Sequence, residues 1–425
     1  MTSLRITVLG LWHLGTVTAA CCAKHFHVTG LEFDDGVIAG LQDGVAPLFE
    51  PGLNDLLGAS IRKGSLRFTT SAPEACSGAD VLWVCYDTPV DENDESNVPF
   101  VLDRLRRALP HLAPGGLVLI SSQLPVGTTR ALESEFPQLA FAVSPENLRL
   151  GKAIDAFENA ERVVIGIRDD SKRAVLEKLF APFTKQLQFM RTESAEMVKH
   201  ALNSFLALSV TFINEIARLC EHAGADAKEV SSGLKSEPRI GPRAYLGPGG
   251  PFAGGTLARD VVTLSRLGEK TGENLELIPA IKKSNDQHRG WAFRQLQSRL
   301  GDLANRTVAI LGLVYTPNTD TLRRSLAVEL CRQLQDAGAH VKAFDPLIPK
   351  APAELAGITV VHNLENALAD ADAAVVCTEW PQFREADWRQ VMARTRRALI
   401  LDANRFLEKP LQAVAGVEHI SVGRT

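Results

Sequence analysis

The sequence predicts an α/β protein, with two Rossmann-like doubly wound parallel sheets joined by a long central helix. Three observations carry that prediction. Short apolar runs alternate with amphipathic helical stretches up to about residue 190, and the same alternation restarts in the last third. Between the two lies a stretch of 32 residues with neither Pro nor Gly. Strand–helix alternation implies parallel strands with helices on both faces. A chain of 425 residues suits two or three domains of roughly 150 residues each, and the expected boundaries are 1–190, 191–298 and 299–425.

Residues 4–9 (LRITVL) read as a buried strand, 15–23 as the helix after it and His27–Leu31 as a second strand. Residues 79–85, 116–121, 141–144 and 162–167 continue the strand series. Thr192–Ala223 reads as one helix capped by Thr192, with Glu196 in its first turns, and about 45 Å long at 1.5 Å per residue. It is apolar on more than one face, so it is expected to pack on both flanking domains and on a partner subunit. Residues 238–255 (PRIGPRAYLGPGGPFAGG) have the density of breakers of an active-site loop. Residues 307–312, 373–377 and 398–401 and His340–Phe344 read as strands, and 325–337 as a helix. ITVLGL and VAILGL make the second sheet an echo of the first, without a short-period repeat.

Hydrophobic residues at 45% and charged residues at 23% exclude a disordered, collagen-like or disulfide-knotted chain. A net charge of −4 argues against a dedicated nucleic-acid binder. No apolar stretch approaches the ~20 residues that span a bilayer, so no membrane association is expected, and no signal peptide is read. Cys21, Cys22, Cys76, Cys85, Cys220, Cys331 and Cys377 form no C-x-x-C pair and read as small buried thiols in a reducing cytoplasm. The ten histidines lack metal-ligand spacing, so no metal is expected.

Gly10-Leu11-Trp12-His13-Leu14-Gly15 follows a strand and opens a helix, the context of a dinucleotide fingerprint. The helix N-terminus offers amide donors to a pyrophosphate. Trp12 stands where a second Gly is wanted, so either the indole turns away or the cofactor sits differently. Glu32 ends the second strand, 17 residues after Gly15; a carboxylate there accepts ribose hydroxyls and repels a 2′-phosphate, which favours NAD over NADP. The competing reading is a sheet domain without a nucleotide.

Further candidates lie at strand ends, where open α/β sheets bind ligands. They are Tyr86-Asp87-Thr88-Pro89, the segment 122–129 (SQLPVGTT) and Ser144-Pro145-Glu146-Asn147. Each taken alone reads equally as turn chemistry. Lys199 and Asn203 share a helix face; they hold a developing alkoxide or form a solvated helix edge. Asp260 opens another helix as a base acting through water, or as a cap. Arg239 and Arg243 in the Gly-rich loop are candidates to reach a diphosphate, in their own or a neighbouring subunit.

In order and spacing, the segments GLWHLG, LFEPGLNDLL, DTP, LPVGTT, SPENLRLGKAI, AEMVKHALNSFLA, PRIGPRAYLGPGGPFAGGTLARDV, LVYTPNTDTLRRS, FDP and TEWPQF resemble the UDP-glucose/GDP-mannose 6-dehydrogenase family over nearly the whole chain. The resemblance implies an N-terminal NAD domain, a central helical dimerisation domain and a C-terminal domain for the nucleotide diphosphate. It implies an NAD-dependent oxidoreductase acting on a UDP-sugar, a cytoplasmic homodimer joined through the central helix, and a part in polysaccharide biosynthesis. Members oxidise C6 of the sugar twice, through a thiohemiacetal and a thioester on a cysteine. Implied cofactor contacts are Gly10, Trp12, His13, Leu14, Gly15, Glu32, Thr88, Pro89, Gln123 and Arg323. Implied substrate contacts are Asn147, Leu148, Arg239, Arg243, Tyr245, Leu246, Phe252 and Gly254. Lys199, Asn203, Glu146 and Asp260 match positions tied to oxyanion stabilisation and proton handling.

The departures are as informative. Thr256 occupies the nucleophile's place in the family pattern GFGGSCxxKD, and Arg259 stands for its lysine. Leu150 replaces a glutamate, Gln123 a threonine, Trp12 a glycine, Thr316 a lysine and Asn404 an arginine. A threonine hydroxyl lacks thiolate reactivity. Cys220 lies about five turns beyond Lys199, too far to substitute, and nothing marks Cys85 as activated. The parts for one hydride transfer remain, so the expected reaction is a two-electron alcohol oxidation, or oxidation followed by re-reduction. A variant forms the acid through a hydrated aldehyde, and the rival reading is a catalytically inactive nucleotide-sugar binder or regulatory paralogue.

Overall fold

The computed structural model describes residues 4–91, 93–146, 148–253, 255–351 and 353–424. The chain divides into two compact units, Met1–Leu202 and Asn203–Thr425.

The first unit is built on eight strands: β1 (Arg5–Leu9), β2 (His27–Leu31), β3 (Leu66–Thr69), β4 (Val81–Val84), β5 (Leu117–Ile120), β6 (Ala140–Val143), β7 (Val163–Ile167) and β8 (Leu187–Met190). They lie in the order β3-β2-β1-β4-β5-β6-β7-β8. Leu9 is level with Leu31 on one side and Val84 on the other, so the carboxyl ends of the central strands finish together. Strands such as VLWV and LVLI are buried along their whole length, because helices cover both faces. Val8 joins the core on one face with Val17, Trp83 and Phe180; the next residue, Leu9, joins the other with Leu82, Val118 and Leu105. One pair departs from the expected parallel sheet: β6 and β7 are antiparallel. A run such as VVIGI shows that a strand exists but not which way it runs.

Three helices position the first unit's functional groups: α1 (His13–Cys22), α2 (Thr128–Glu135) and α3 (Thr192–Ala223). The 32-residue α3 has the expected bounds and carries the chain into the second unit. Thr192, however, is no cap. It is the first helical residue, and its buried hydroxyl has no hydrogen-bond partner. The reason is close packing on β7, where a Cβ at Gly166 would lie 2.8 Å from Thr192 Cα and 2.7 Å from Ala195 Cβ.

The second unit holds β9 (Thr307–Leu311), β10 (His340–Phe344), β11 (Thr359–Val360), β12 (Ala373–Val376), β13 (Leu399–Asp402) and β14 (Glu418–Ile420), in the order β11-β10-β9-β12-β13-β14. Every pair is parallel. Its wiring repeats that of β1 to β6. The helices relevant to function are α4 (Thr256–Thr271), α5 (Leu277–Arg289) and α6 (Leu326–Asp336). Among the described residues, no helix is long and apolar enough to cross a membrane.

Candidate active site

In the first unit, β1 ends at Gly10, whose φ of 92° lies in the left-handed region. A Cβ there would lie 2.7 Å from the Tyr86 ring. A Cβ on Gly15 would lie 1.6 Å from Gly10 O, so only glycine lets α1 close on the turn. Trp12, the N-cap, makes no side-chain cap bond and its indole is 45% exposed, turned to solvent. His13 Nε2 lies 2.9 Å from Glu50 Oε2, and Glu50 also accepts the amides of Gly151 and Ala153 at 2.8 and 2.9 Å. Glu32 is buried at the end of β2 and accepts from Leu11 N at 3.0 Å, Phe33 N at 2.7 Å and Tyr86 OH at 3.2 Å. A glycine turn, a helix start without its own side-chain cap and a carboxylate at the end of β2 fit a dinucleotide.

The other strand-end segments are tied to each other. Thr88 Oγ1 donates to Gln123 O at 2.7 Å, beside the half-exposed Pro89. His200 Nε2 lies 3.0 Å from Leu124 O. Glu196 accepts from Gly127 N, Thr129 N and Thr129 Oγ1 at 2.6, 3.0 and 2.7 Å, fixing the start of α2 from the first turns of α3. Lys199 is buried; its Nζ donates to Glu146 O at 2.7 Å and lies 3.7 Å from Glu146 Oε1. Glu146 Oε2 accepts Leu148 N at 2.7 Å. A cavity of about 110 Å³ opens here, lined by Leu14, Trp83, Ser144, Glu146, Leu148 and Lys199 among others. Lys199 is therefore no solvated helix edge: it is a buried ammonium aimed at a strand end.

In the second unit, Asn203 Nδ2 donates to Asp260 Oδ2 at 2.5 Å, and both residues are buried. Asp260 lies one turn along α4 from Thr256, the exposed first residue of that helix. Phe252 is fixed by Asn285, whose Oδ1 accepts Phe252 N at 3.0 Å and whose Nδ2 donates to Phe252 O at 2.8 Å. Leu246 is buried and its carbonyl accepts Ser231 Oγ at 2.5 Å. Tyr245, Arg239 and Arg243 are exposed, and Arg239 pairs with Glu237 at 2.8 Å. Arg323 lines a broad cavity of about 640 Å³ with Arg324 and Arg332 at the start of α6. Asn147 and Gly254 lie outside the described residues.

Sequence reasoning missed the groups that shape the Gly-rich loop. Asn214 Oδ1 accepts Gly249 N at 3.0 Å and Asn404 Oδ1 accepts Gly250 N at 2.8 Å. His288 Nε2 donates to Gly249 O at 2.8 Å, and burial pushes its pKa down to about 4. A Cβ on Gly249 would lie 1.9 Å from Asn404 Oδ1. In the sequence Asn404 stands out only as a departure from the family pattern; the spacing of Asn203 and Asn214 on one long helix is the available signal. The seven cysteines are free and none is exposed. Burial raises the Cys85 thiol well above its ordinary range, so it is no thiolate nucleophile. Among the described residues, no group of three His, Cys, Asp or Glu could hold a metal ion.

A dinucleotide turn beside a buried lysine that donates to a half-buried glutamate, on a doubly wound sheet, fits a nicotinamide-dependent oxidoreductase. Comparison with known proteins narrows this. Residues 4–184 match the "UDP-glucose/GDP-mannose dehydrogenase family, NAD binding domain", 193–287 its central domain and 309–409 its UDP binding domain. UDP-glucose 6-dehydrogenase TuaD of Bacillus subtilis is 33% identical over 99% of this chain and 93% of its own. UDP-glucose 6-dehydrogenase of Rhizobium meliloti is 32% identical over 99% of this chain and 100% of its own. A UDP-glucose dehydrogenase structure from Pyrobaculum islandicum aligns with a TM-score of 0.90 at 30% identity, covering 100% of this chain and 98% of that one. The chain belongs to the UDP-glucose/GDP-mannose dehydrogenase family. It is an NAD-dependent oxidoreductase of nucleotide sugars, acting on a CH–OH group.

Proposed function

We propose that the chain oxidises the C6 alcohol of a UDP-hexose, UDP-glucose first, and stops at the two-electron stage. One observation carries this: Thr256 stands exposed at the start of α4, one turn from buried Asp260, where a thiolate is needed to trap an aldehyde. The cofactor supplies a hydride acceptor. Lys199 and Asn203, one turn apart on α3, hold the developing alkoxide, because an ammonium and a carboxamide donate to oxygen as it gains charge. Asp260, acting through water, takes the hydroxyl proton. The C6–H pair leaves as hydride, the O–H pair becomes the second C–O bond, and the products are an aldehyde, NADH and a proton. Glu146 anchors Lys199 and orients the substrate or water. With no exposed thiol in the chain, there is no route to a thioester.

The three expected domains, 1–190, 191–298 and 299–425, divide the work into cofactor binding, substrate and subunit contacts, and nucleotide binding. Arg239, Arg243, Tyr245 and Phe252 contribute to the nucleotide-sugar site, and Arg323 to the cofactor. A second copy of the chain covers Phe205, Phe212 and Leu219, which are 65%, 45% and 63% exposed and recur every seven residues along one side of α3. Unpaired thiols and an NAD requirement support a cytoplasmic location. The inactive reading is not favoured, because both polar pairs of the hydride-transfer chemistry are assembled.

Mass spectrometry of products from a panel of UDP-, GDP- and CDP-sugars with NAD tests the proposal. A UDP-sugar aldehyde as the major product is expected. Uronate as the sole product, or an unaltered panel without NADH, would overturn it.

A further inference from the structure

Asp87 follows β4 and is exposed, yet its Oδ2 accepts the amide of Leu14 at 3.3 Å. That amide lies in the first turn of α1, a helix with neither a side-chain cap nor an acidic residue of its own there. Anions are favoured at helix N-termini because the amides are unsatisfied and the dipole is positive. In a sheet of this wiring, the cofactor's pyrophosphate uses the same donors. A carboxylate from the neighbouring strand end already sits on one of them.

The flanking residues are fixed. Tyr86 is buried under Gly10 with its hydroxyl on Glu32, and Thr88 is hydrogen-bonded to Gln123 O. The loop is thus pinned on both sides of position 87.

We infer that Asp87 is an internal stand-in for a phosphoryl oxygen, which the pyrophosphate of the dinucleotide must displace. The contact caps α1 when no cofactor is bound and sets a like charge against the incoming anion. Asp87 therefore stabilises the cofactor-free protein and weakens NAD affinity. This rests on the assignment of the β1–α1 turn to NAD.

The test is calorimetric titration of the full chain and of the Asp87→Asn and Asp87→Gly variants with NAD, ADP-ribose and adenosine. Both variants are expected to bind NAD and ADP-ribose about two- to fivefold more tightly, the size of one charge interaction at an exposed helix terminus. Adenosine, which lacks the pyrophosphate, should bind all three proteins equally. Without ligand, the variants should unfold at a slightly lower temperature, as loss of a cap requires. Unchanged or weaker NAD binding in both variants overturns the inference while leaving the NAD assignment intact. A parallel gain for adenosine also overturns it, because the effect would then not concern the anion. Failure of all three proteins to bind NAD overturns the inference and the cofactor assignment together.

Discussion

The two sheets start alike and diverge at the first helix. Both first strands end in a glycine at positive φ, 92° at Gly10 and 90° at Gly312. Both second strands end in a buried carboxylate that holds the first turn: Glu32 accepts Leu11 N, and Asp345 Oδ2 accepts Leu313 N and Val314 N at 2.7 and 3.1 Å. An aromatic residue after the fourth strand bonds each carboxylate, Tyr86 in one unit and Trp380 in the other. In the first unit α1 starts three residues after the glycine and has no side-chain cap. In the second the chain wanders to Ser325, whose hydroxyl caps α6 by accepting Ala327 N at 3.2 Å. One scaffold thus gives a helix terminus presented to a ligand and another satisfied by the chain itself. Fold alone does not say which sheet takes the dinucleotide; the side chain at the helix start does.

The sharpest way to break the comparison is Gly15→Ala. A methyl 1.6 Å from Gly10 O forces the turn apart, and denaturant unfolding should show the first unit weakened by about 3 kcal/mol or more. Next come the paired carboxylates. Asp345→Ala strands three backbone donors, Leu313 N, Val314 N and Leu347 N, and the Trp380 indole N–H, and should cost about 2–4 kcal/mol of stability with NAD affinity unchanged. Glu32→Gln should instead weaken NAD binding about tenfold, with a smaller stability change. A pH-dependent effect comes from His288. The folded protein keeps it neutral down to about pH 4, whereas the unfolded chain protonates near pH 6.5. Stability is therefore lost as pH falls through that window, by about 2 kcal/mol at pH 5, and His288→Gln should flatten the dependence. The smallest is Ser325→Ala, which removes a cap and should cost about 1 kcal/mol in the second unit alone.

The strands that sequence reasoning found are the central ones. β3, β8, β11 and β14 were not read, and each is a sheet edge. Edge strands are short and half-exposed, so they lack the continuous apolar run that marks a strand buried on both faces. Gly10, Gly15 and Glu32 were legible because backbone geometry and burial demand those residue types locally. The clamp on the Gly-rich loop was not: Asn214, Asn285, His288 and Asn404 come from helices and a strand end far apart in the chain. The Asp87 contact was hidden for the same reason, since it joins positions 73 residues apart.

In the proposed reaction, Thr256 ends oxidation after one hydride. The direct measurement is NADH formed per UDP-sugar consumed, for the native chain and for Thr256→Cys. One NADH per sugar for the native chain, rising to two with uronate for Thr256→Cys, is the predicted result. Two NADH per sugar from the native chain would contradict it.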